Sequence, residues 1–285
     1  MTTILTWNIQ CGLGCDGVHD LTRISEHIKD TGDSDVICLQ EISRFMAELD
    51  AGRGEDQVEI LAALFPGYEC FFGAALNQSD ERTPDRRQFG NLILSRLPVL
   101  QVFYHPLPQP HDAGIKHMAR QLSEVVVECP SGPLRVLTTH LEYHSSKQRS
   151  AQAMAIHDLH QQVCDNIRWP GLNPGHGPYT HIARPETSVL CGDFNFTPDS
   201  AEYGLLLSGF RHQTKPLRDV WRVKNGDQAH APTCGIFDKR QWPEGPHARD
   251  FFFISDDLSS RITDMSVNAT TDASDHQPML LDLNF

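Results

Sequence analysis

No apolar run in the 285-residue sequence approaches the roughly 20 residues a membrane-spanning helix needs; the longest are short segments such as FFFI. Internal repeats and low-complexity tracts are absent, and so is any CxxC pair. Of the eight cysteines (11, 15, 38, 70, 129, 164, 191 and 234), Cys11 and Cys15 lie closest, with no second pair to complete a zinc site. The opening MTTILTWNIQ has no basic region followed by a long apolar stretch, so no secretory signal is expected. A reducing cytoplasm is the simplest home for scattered thiols such as Cys38 and Cys191, which sit in apolar runs. The same even count could pair in an oxidising compartment.

Positive charge is also scarce. Lys plus Arg number 24 against 37 Asp plus Glu, a net charge of −13. Such a chain gains nothing from long-range attraction to a polyphosphate, which argues against a sequence-scanning nucleic-acid binder. A local basic cleft, or a bound divalent cation that inverts the field, stays compatible. The 15 histidines, fully protonated, would carry the charge from −13 to +2, so solubility should change between about pH 5 and 7.

With 39% apolar and 21% charged residues, the composition supports a sizeable core and excludes a disordered or collagen-like chain. Length alone suggests about two domains, but no segment has linker composition, and residues 1–285 read as one. Short apolar runs bounded by Gly, Pro, Asp or Ser predict strands at 4–8, 36–39, 92–94, 124–127, 134–139, 189–191, 251–254 and 279–281. Helices are predicted from Asp20 to Lys29, with Leu21, Ile24 and Ile28 on one face, and from Lys147 to Ile167, with Met154, Leu159, Val163 and Ile167 at helical spacing. Alternating strands and helices indicate an α/β fold, while EVVVE and LRVLTTH flank a turn and predict an antiparallel hairpin; a mixed sheet satisfies both. Four stretches read as long loops of the kind that carry function: 76–88, 105–118, 169–187 and 224–248.

Polar residues mark the ends of these strands. Asn8 closes ILTWN, Glu41 follows VICLQ, His140 closes LRVLTTH, and Asp193 and Asn195 follow VLCG. Asp250 opens the FFFI strand, and Asp275 with His276 precedes MLLDL. A buried carboxylate or amide is costly unless paired, hydrogen-bonded or metal-bound, and one such residue at a strand end is commonplace. Six such sites in one chain point to strand ends that converge on a hard cation with imidazoles beside it. Within GDFN, alternation along an extended chain would put Asp193 and Asn195 on one face about 7 Å apart, with Phe194 entering the core. An Asx turn is the plainer reading of GDFN, and a cap-like turn that of Ser274-Asp275-His276.

In this order, TWNIQ, LQEIS (39–43), GNLILSR (90–96), TTHLE (138–142), GDFNFTP (192–198), RDFFFIS (249–255) and SDHQP (274–278) resemble the endonuclease/exonuclease/phosphatase superfamily, which has the fold of deoxyribonuclease I. The resemblance spans nearly the whole chain. It implies a four-layer α/β (α+β) sandwich, two mixed sheets face to face with helices outside. It further implies that Asn8, Glu41 and Asp275 lie at the metal, that Asp193 orients or activates water, and that Asn195 contacts phosphate or water. His140 corresponds to a histidine that stabilises phosphate charge, His276 to the catalytic histidine, and Asp250 to its carboxylate partner. Arg120 corresponds to an arginine that could reach phosphate or pair with a carboxylate; Arg149 and Gln152 fall on the helix after THL, in packing roles. Two positions depart from the pattern. Arg249 stands where an apolar residue is usual, and His140 replaces the tyrosine motif of abasic-site repair enzymes.

The chemistry is consistent with the residues themselves. Hydrolysing an anionic phosphoester requires charge neutralisation, a positioned water and a proton for the leaving oxygen. Mg²⁺, with Mn²⁺ as a substitute, prefers oxygen ligands of the kind Asn8 and Glu41 offer. A His276–Asp250 pair would fix one imidazole tautomer and favour its protonated form, in an acid or a base role. Other residues carry less. His157 and His160, three apart on the second helix, read as a solvated helix surface, and His176 and His181 as exposed loop histidines. Arg82, Arg86 and Arg87 mix with Asp80, Glu81 and Asp85 in a screened loop, and Lys215 and Arg218 are surface charges. Trp242, in the loop before Asp250, could stack on a base or an apolar group.

The sequence therefore leads to a metal-dependent phosphoesterase for a phosphodiester or phosphomonoester, with a small-molecule or head-group substrate favoured by the negative charge. A nonspecific endonuclease on DNA or RNA is the alternative, with a non-catalytic binding module on the same fold ranked below it. No protein partner is inferred.

Overall fold

The computed structural model describes residues 1–285 except Arg82, Asn173, Pro174, His176, Thr180, His181 and Ala183, so the expectations for Arg82, His176 and His181 lie outside the described residues. In chain order the first six strands are β1 (Thr2–Asn8), β2 (Val36–Arg44), β3 (Glu69–Asp80), β4 (Thr83–Ser95), β5 (Val99–Pro106) and β6 (Gln121–Cys129). They are followed by β7 (Gly132–His140), β8 (Ser188–Asp193), β9 (Leu217–Asp219), β10 (Asp250–Ser255), β11 (Ile262–Val267) and β12 (Met279–Leu283). The helices are α1 (Leu21–Thr31), α2 (Gln57–Leu64), α3 (Ser146–Arg168), α4 (Ala201–Leu206) and α5 (Val220–Asn225).

Two six-stranded sheets form, in the orders β11-β12-β1-β2-β4-β3 and β5-β6-β7-β8-β10-β9. Each is antiparallel except for one central parallel pair, β1 with β2 and β7 with β8. Parallel neighbours need a crossover, and α1 and α3 supply it. The central strands are buried on both faces, so alternate side chains feed different layers. Ile4, Val36, Cys38, Val125, Val136, Val189, Phe252 and Leu281 meet between the sheets. Leu5, Trp7, Ile37 and Leu92 turn the other way, onto Leu21, Ile24 and Ile28 of α1 and Leu61 of α2. Leu137, Leu190, Phe194 and Phe253 pack on Ala153 and Ile156 of α3 and Leu206 of α4. The result is a four-layer α/β sandwich, the fold class the sequence implies.

Local signals place the crossovers. Asp20 caps α1 by accepting from the N–H of Thr22 at 2.8 Å and of Arg23 at 3.0 Å, and Ser145 caps α3 through the N–H of Gln148 at 3.1 Å. The buried face of α3 differs from the one its apolar spacing suggests. Met154 and Ile167 are exposed, while Gln148, Gln152, Ile156 and His160 turn inward, because three of these have polar partners beneath the helix. His160 Nε2 lies 3.0 Å from the Lys215 carbonyl, and His157 stacks on Phe210 at 4.0 Å between ring centroids. Neither histidine is on a solvated helix surface. Lys215 and Arg218 make surface ion pairs with Asp257 and Asp256 at 2.8 and 2.7 Å.

Segment 76–88 also departs from its reading as a loop. Residues 76–80 and 83–88 are the outer part of the β3–β4 hairpin, where backbone pairing such as Asn77 with Gln88 orders a polar stretch. There Arg86 donates to Asn77 Oδ1 at 2.6 Å, and Arg87 pairs with Glu48. Stretches 107–120 and 226–249 are largely irregular, as expected. Among the described residues, no helix is long and apolar enough to cross a membrane.

Candidate active site

The C-terminal ends of the two parallel pairs face one another across the sandwich, and their last residues form the site. Asn8 ends β1, Glu41 lies in β2, His140 ends β7 and Asp193 ends β8. Gln40 ties the sheets together directly beneath, its buried amide donating to Thr6 Oγ1 of β1 at 3.1 Å and to Thr138 Oγ1 of β7 at 2.9 Å. Between Leu39 and Ile42 the pairing of β2 with β4 shifts by one residue. At this bulge Glu41 takes φ +59°, a conformation non-glycine residues avoid, which turns its carboxylate into the site. On β8, Gly192 at φ +129° lies so close to β7 that a Cβ would come within 2.1 Å of the Thr139 carbonyl oxygen. Only glycine fits there, and the close approach delivers Asp193 beside His140.

Asn8 joins the halves of the site. Its Nδ2 donates to Glu41 Oε1 at 3.1 Å and to Asp193 Oδ2 at 3.0 Å, while its Oδ1 accepts from the Gln10 N–H at 3.1 Å. The SDH turn is pinned to the end of β1: Ser274 Oγ donates to the Asn8 carbonyl at 2.7 Å, and Trp7 Nε1 to the His276 carbonyl at 2.9 Å. It is a turn without a following helix. His276 Nδ1 lies 2.8 Å from Asp250 Oδ2, and its Nε2 faces Asp193 Oδ2 at 3.7 Å. His140 Nε2 approaches the same Asp193 oxygen at 3.4 Å, and its Nδ1, which has no hydrogen-bond partner among the described residues, lies 3.9 Å from Glu41 Oε1.

The GDFN segment corrects one expectation. The chain does not stay extended past Asp193: Asn195 has φ +52°, and its N–H donates to Asp193 Oδ1 at 2.9 Å, an Asx turn. The Asn195 amide donates to the Leu141 carbonyl at 3.0 Å, so the turn, not strand alternation, aims this side chain. Phe194 enters the core as expected. Arg120 is buried and its Nε lies 3.4 Å from Glu142 Oε2, which makes it a carboxylate-paired cation at the edge of the site. Arg149 donates to the Glu142 and Tyr143 carbonyls at 2.9 Å, and Gln152 accepts from the Glu142 N–H at 2.9 Å; both hold the chain after β7.

Charge is distributed unevenly among these groups. Burial raises Glu41 to about 7, helped by the neighbouring Asp275 charge, and burial raises Asp275 as well. Burial also lifts Asp250 to about 6 against the pull of His276. For His276 burial opposes protonation, but Asp250, Asp193 and Asp275 outweigh it and hold the imidazole protonated well above the usual histidine range. Burial likewise works against an ionised Asp193, and the facing His276 and the Asn8 amide more than offset it. Burial and the Arg120 charge depress His140 to about 3, so it is neutral near pH 7.

Glu41, His140, Asp193, Asp275 and His276 line one end of a cavity of about 470 Å³. Asp193, Asp250 and His276 bring ligand-type atoms within 4.8 Å of one another, a cluster able to hold a metal ion. A sequence model described as the Endonuclease/Exonuclease/phosphatase family matches residues 5–276. The chain belongs to that family. Its members hydrolyse phosphoester bonds and depend on divalent metals, and this protein is a phosphoester hydrolase. Solved structures agree on the fold. An endonuclease/exonuclease/phosphatase from Beutenbergia cavernae DSM 12333 is 25% identical with a TM-score of 0.68, over 99% of this chain and 71% of that one. A mannosyl-6-phosphatase from Bacteroides thetaiotaomicron VPI-5482 is 17% identical with a TM-score of 0.68, over 100% of both chains. The human Nocturnin catalytic domain, with bound sulfate, is 17% identical with a TM-score of 0.61, over 100% of this chain and 94% of that one.

 A comparison with functionally curated proteins finds no match.

Thr233 escapes a reading of the sequence, and Trp242 and Arg249 hold places in the site that the sequence does not show. Thr233 donates to Asp250 Oδ2 at 2.6 Å, and its Oγ1 accepts from the Asp250 N–H at 3.1 Å, so it holds the carboxylate that holds His276. It lies in the irregular 224–248 stretch, whose length was the only signal. Trp242 is buried, its Nε1 3.3 Å from Asp275 Oδ2, and it meets His276 edge to face. An indole enclosed in this way offers no open platform for a base. Arg249, the departure from the family pattern, lies 4.7 Å over Trp242 and donates to the Asn195 carbonyl at 3.1 Å, joining the Trp242 loop to the Asx turn.

Proposed function

We propose that this protein hydrolyses a small phosphoester with Mg²⁺, which Mn²⁺ can replace, and that Asp193, His276, Asp250 and His140 carry the chemistry. The observation behind this reading is the Asp250–His276–Asp193 array, with contacts of 2.8 and 3.7 Å, beside the crowded carboxylates Glu41 and Asp275. Those two carboxylates suit a hard cation: the donors are oxygens, and both are raised by burial among like charges, a cost that a divalent cation relieves. We assign the metal to Glu41 and Asp275 with Asn8 alongside. The cluster of Asp193, Asp250 and His276 is the other place for an ion, but the 2.8 Å hydrogen bond between His276 and Asp250 already engages two of its three groups. Mg²⁺ bound there supplies positive charge to the phosphate oxygens.

The chain's own residues do the rest. Ionised Asp193, oriented by Asn8 and the Asx turn, accepts a proton from the attacking water. Protonated His276, held by Asp250, donates toward the phosphate. Neutral His140 and the Asn195 turn complete the phosphate end of the cavity, with Arg120 at its edge. Residues from both termini meet in the site, which supports reading 1–285 as one domain. The eight free cysteines, six of them buried, support a reducing, cytoplasmic setting.

The test is turnover of bis(4-nitrophenyl) phosphate in Mg²⁺, with and without chelator, by wild type and His276→Ala. Chelator-sensitive turnover that falls about 10²- to 10⁴-fold in the variant is expected. Equal rates in the two proteins would remove His276 from the mechanism. Nicking of supercoiled plasmid at a rate exceeding small-diester turnover would favour the nuclease alternative.

A further inference from the structure

The cavity is larger than a phosphate needs, and its far wall has a different chemistry from its reactive end. Its volume of about 470 Å³ lies in the range that holds a drug-sized ligand. Gln10, Tyr143 and Gln241 also line the cavity, and beyond the phosphate end an apolar wall is built by Met46, Leu49, Leu76, Phe89 and Met118. They come from three separate places: the turn after β2, the β3–β4 hairpin, and the stretch between β5 and β6. Together with Cys11 they form an apolar cluster apart from the three layers of the core. Leu49, Leu76 and Met118 are only partly buried, so this cluster presents a surface to the cavity.

The wall also constrains what can lie against it. A sugar hydroxyl there would need hydrogen-bond partners, and these five side chains offer none beyond weak thioether acceptors. A second phosphate would need a further cation, yet Arg120, at the edge of the cavity, already pairs with Glu142, and protonated His276 faces the phosphate end. Methionine on two sides suits groups of varied shape.

We infer that the group attached to the substrate's phosphate is apolar and uncharged, an alkyl or aryl moiety seated on Met46, Leu49, Leu76, Phe89 and Met118. This rests on the proposed function, because it takes the phosphate to lie at Asp193 and His276. The experiment measures the affinity of non-hydrolysable phosphonates for the Mg²⁺-loaded protein by calorimetry, alongside turnover of bis(4-nitrophenyl) phosphate. Each fully buried methylene strengthens binding about fourfold. Butylphosphonate, with three more methylenes than methylphosphonate, should therefore bind at least about tenfold more tightly even when only partly enclosed. Comparing butyl- with phenylphosphonate distinguishes an alkyl from an aryl occupant. 2,3-Dihydroxypropylphosphonate should bind no better than methylphosphonate. Leu76→Asn and Met118→Asn, at partly exposed positions that tolerate substitution, should each shrink the butyl-to-methyl ratio. Equal affinities for methyl-, butyl- and phenylphosphonate, or a dihydroxypropylphosphonate that outcompetes them, overturn the inference while turnover upholds the site. Absence of turnover together with a preserved butyl preference would instead overturn the proposed function.

Discussion

Acidification from pH 7 to pH 5 should cost this protein stability through one residue far from the reaction. His160 faces inward from α3, 4% exposed, and burial, aided by the Arg135 charge, lowers it to about 4. In the unfolded chain a histidine titrates near 6.5. Between these values the unfolded state binds the extra proton, so stability falls as pH drops from about 6.5 toward 4. Integrated from pH 7 to pH 5, the loss is about 2 kcal/mol from this group alone. Urea unfolding of wild type and His160→Gln at both pH values measures it. Glutamine keeps a donor for the Lys215 carbonyl but has no proton to gain. The pH-induced loss should therefore be about 2 kcal/mol smaller in the variant. An identical pH dependence in the two proteins would refute the reasoning, because it would mean that His160 takes up its proton in the fold without penalty.

Three further outcomes are expected. Asp250→Asn leaves His276 without the charge that holds it protonated, so turnover should fall about a hundredfold or more, measured with bis(4-nitrophenyl) phosphate. Gly192→Ala forces a Cβ to within 2.1 Å of the Thr139 carbonyl oxygen at φ +129°, and chemical denaturation should show a loss of about 3 kcal/mol or more. Mg²⁺ at about 100 times its dissociation constant should stabilise the fold by about 2.7 kcal/mol, and Glu41→Gln combined with Asp275→Asn should abolish that gain in a thermal-shift measurement.

The sheets were legible in the sequence wherever they are central. Eight strands were visible as apolar runs, and the four that were not, β3, β5, β9 and β11, are the four sheet edges. An edge strand has a solvated side, so its residues need not be apolar; β5 and β11 each carry three exposed residues, and β3 ends in the polar NQSD. Such strands owe their existence to a neighbour, and no local pattern announces that neighbour. The site divides along the same line. Asn8, Glu41, His140 and Asp193 could be found because each abuts a central apolar strand, and the polar interruption of such a strand is itself the signal. Their aim could not: Glu41 depends on a bulge and Asn195 on an Asx turn, both set by pairing with other strands and loops. Thr233 and the apolar wall were illegible for a further reason. A threonine in an irregular stretch or a leucine on a hairpin has many uses, and only the fold that brings it to Asp250, or to the cavity, selects one. Residues that react are marked by their chemistry, whereas residues that choose the substrate are ordinary side chains, and their role exists only in three dimensions.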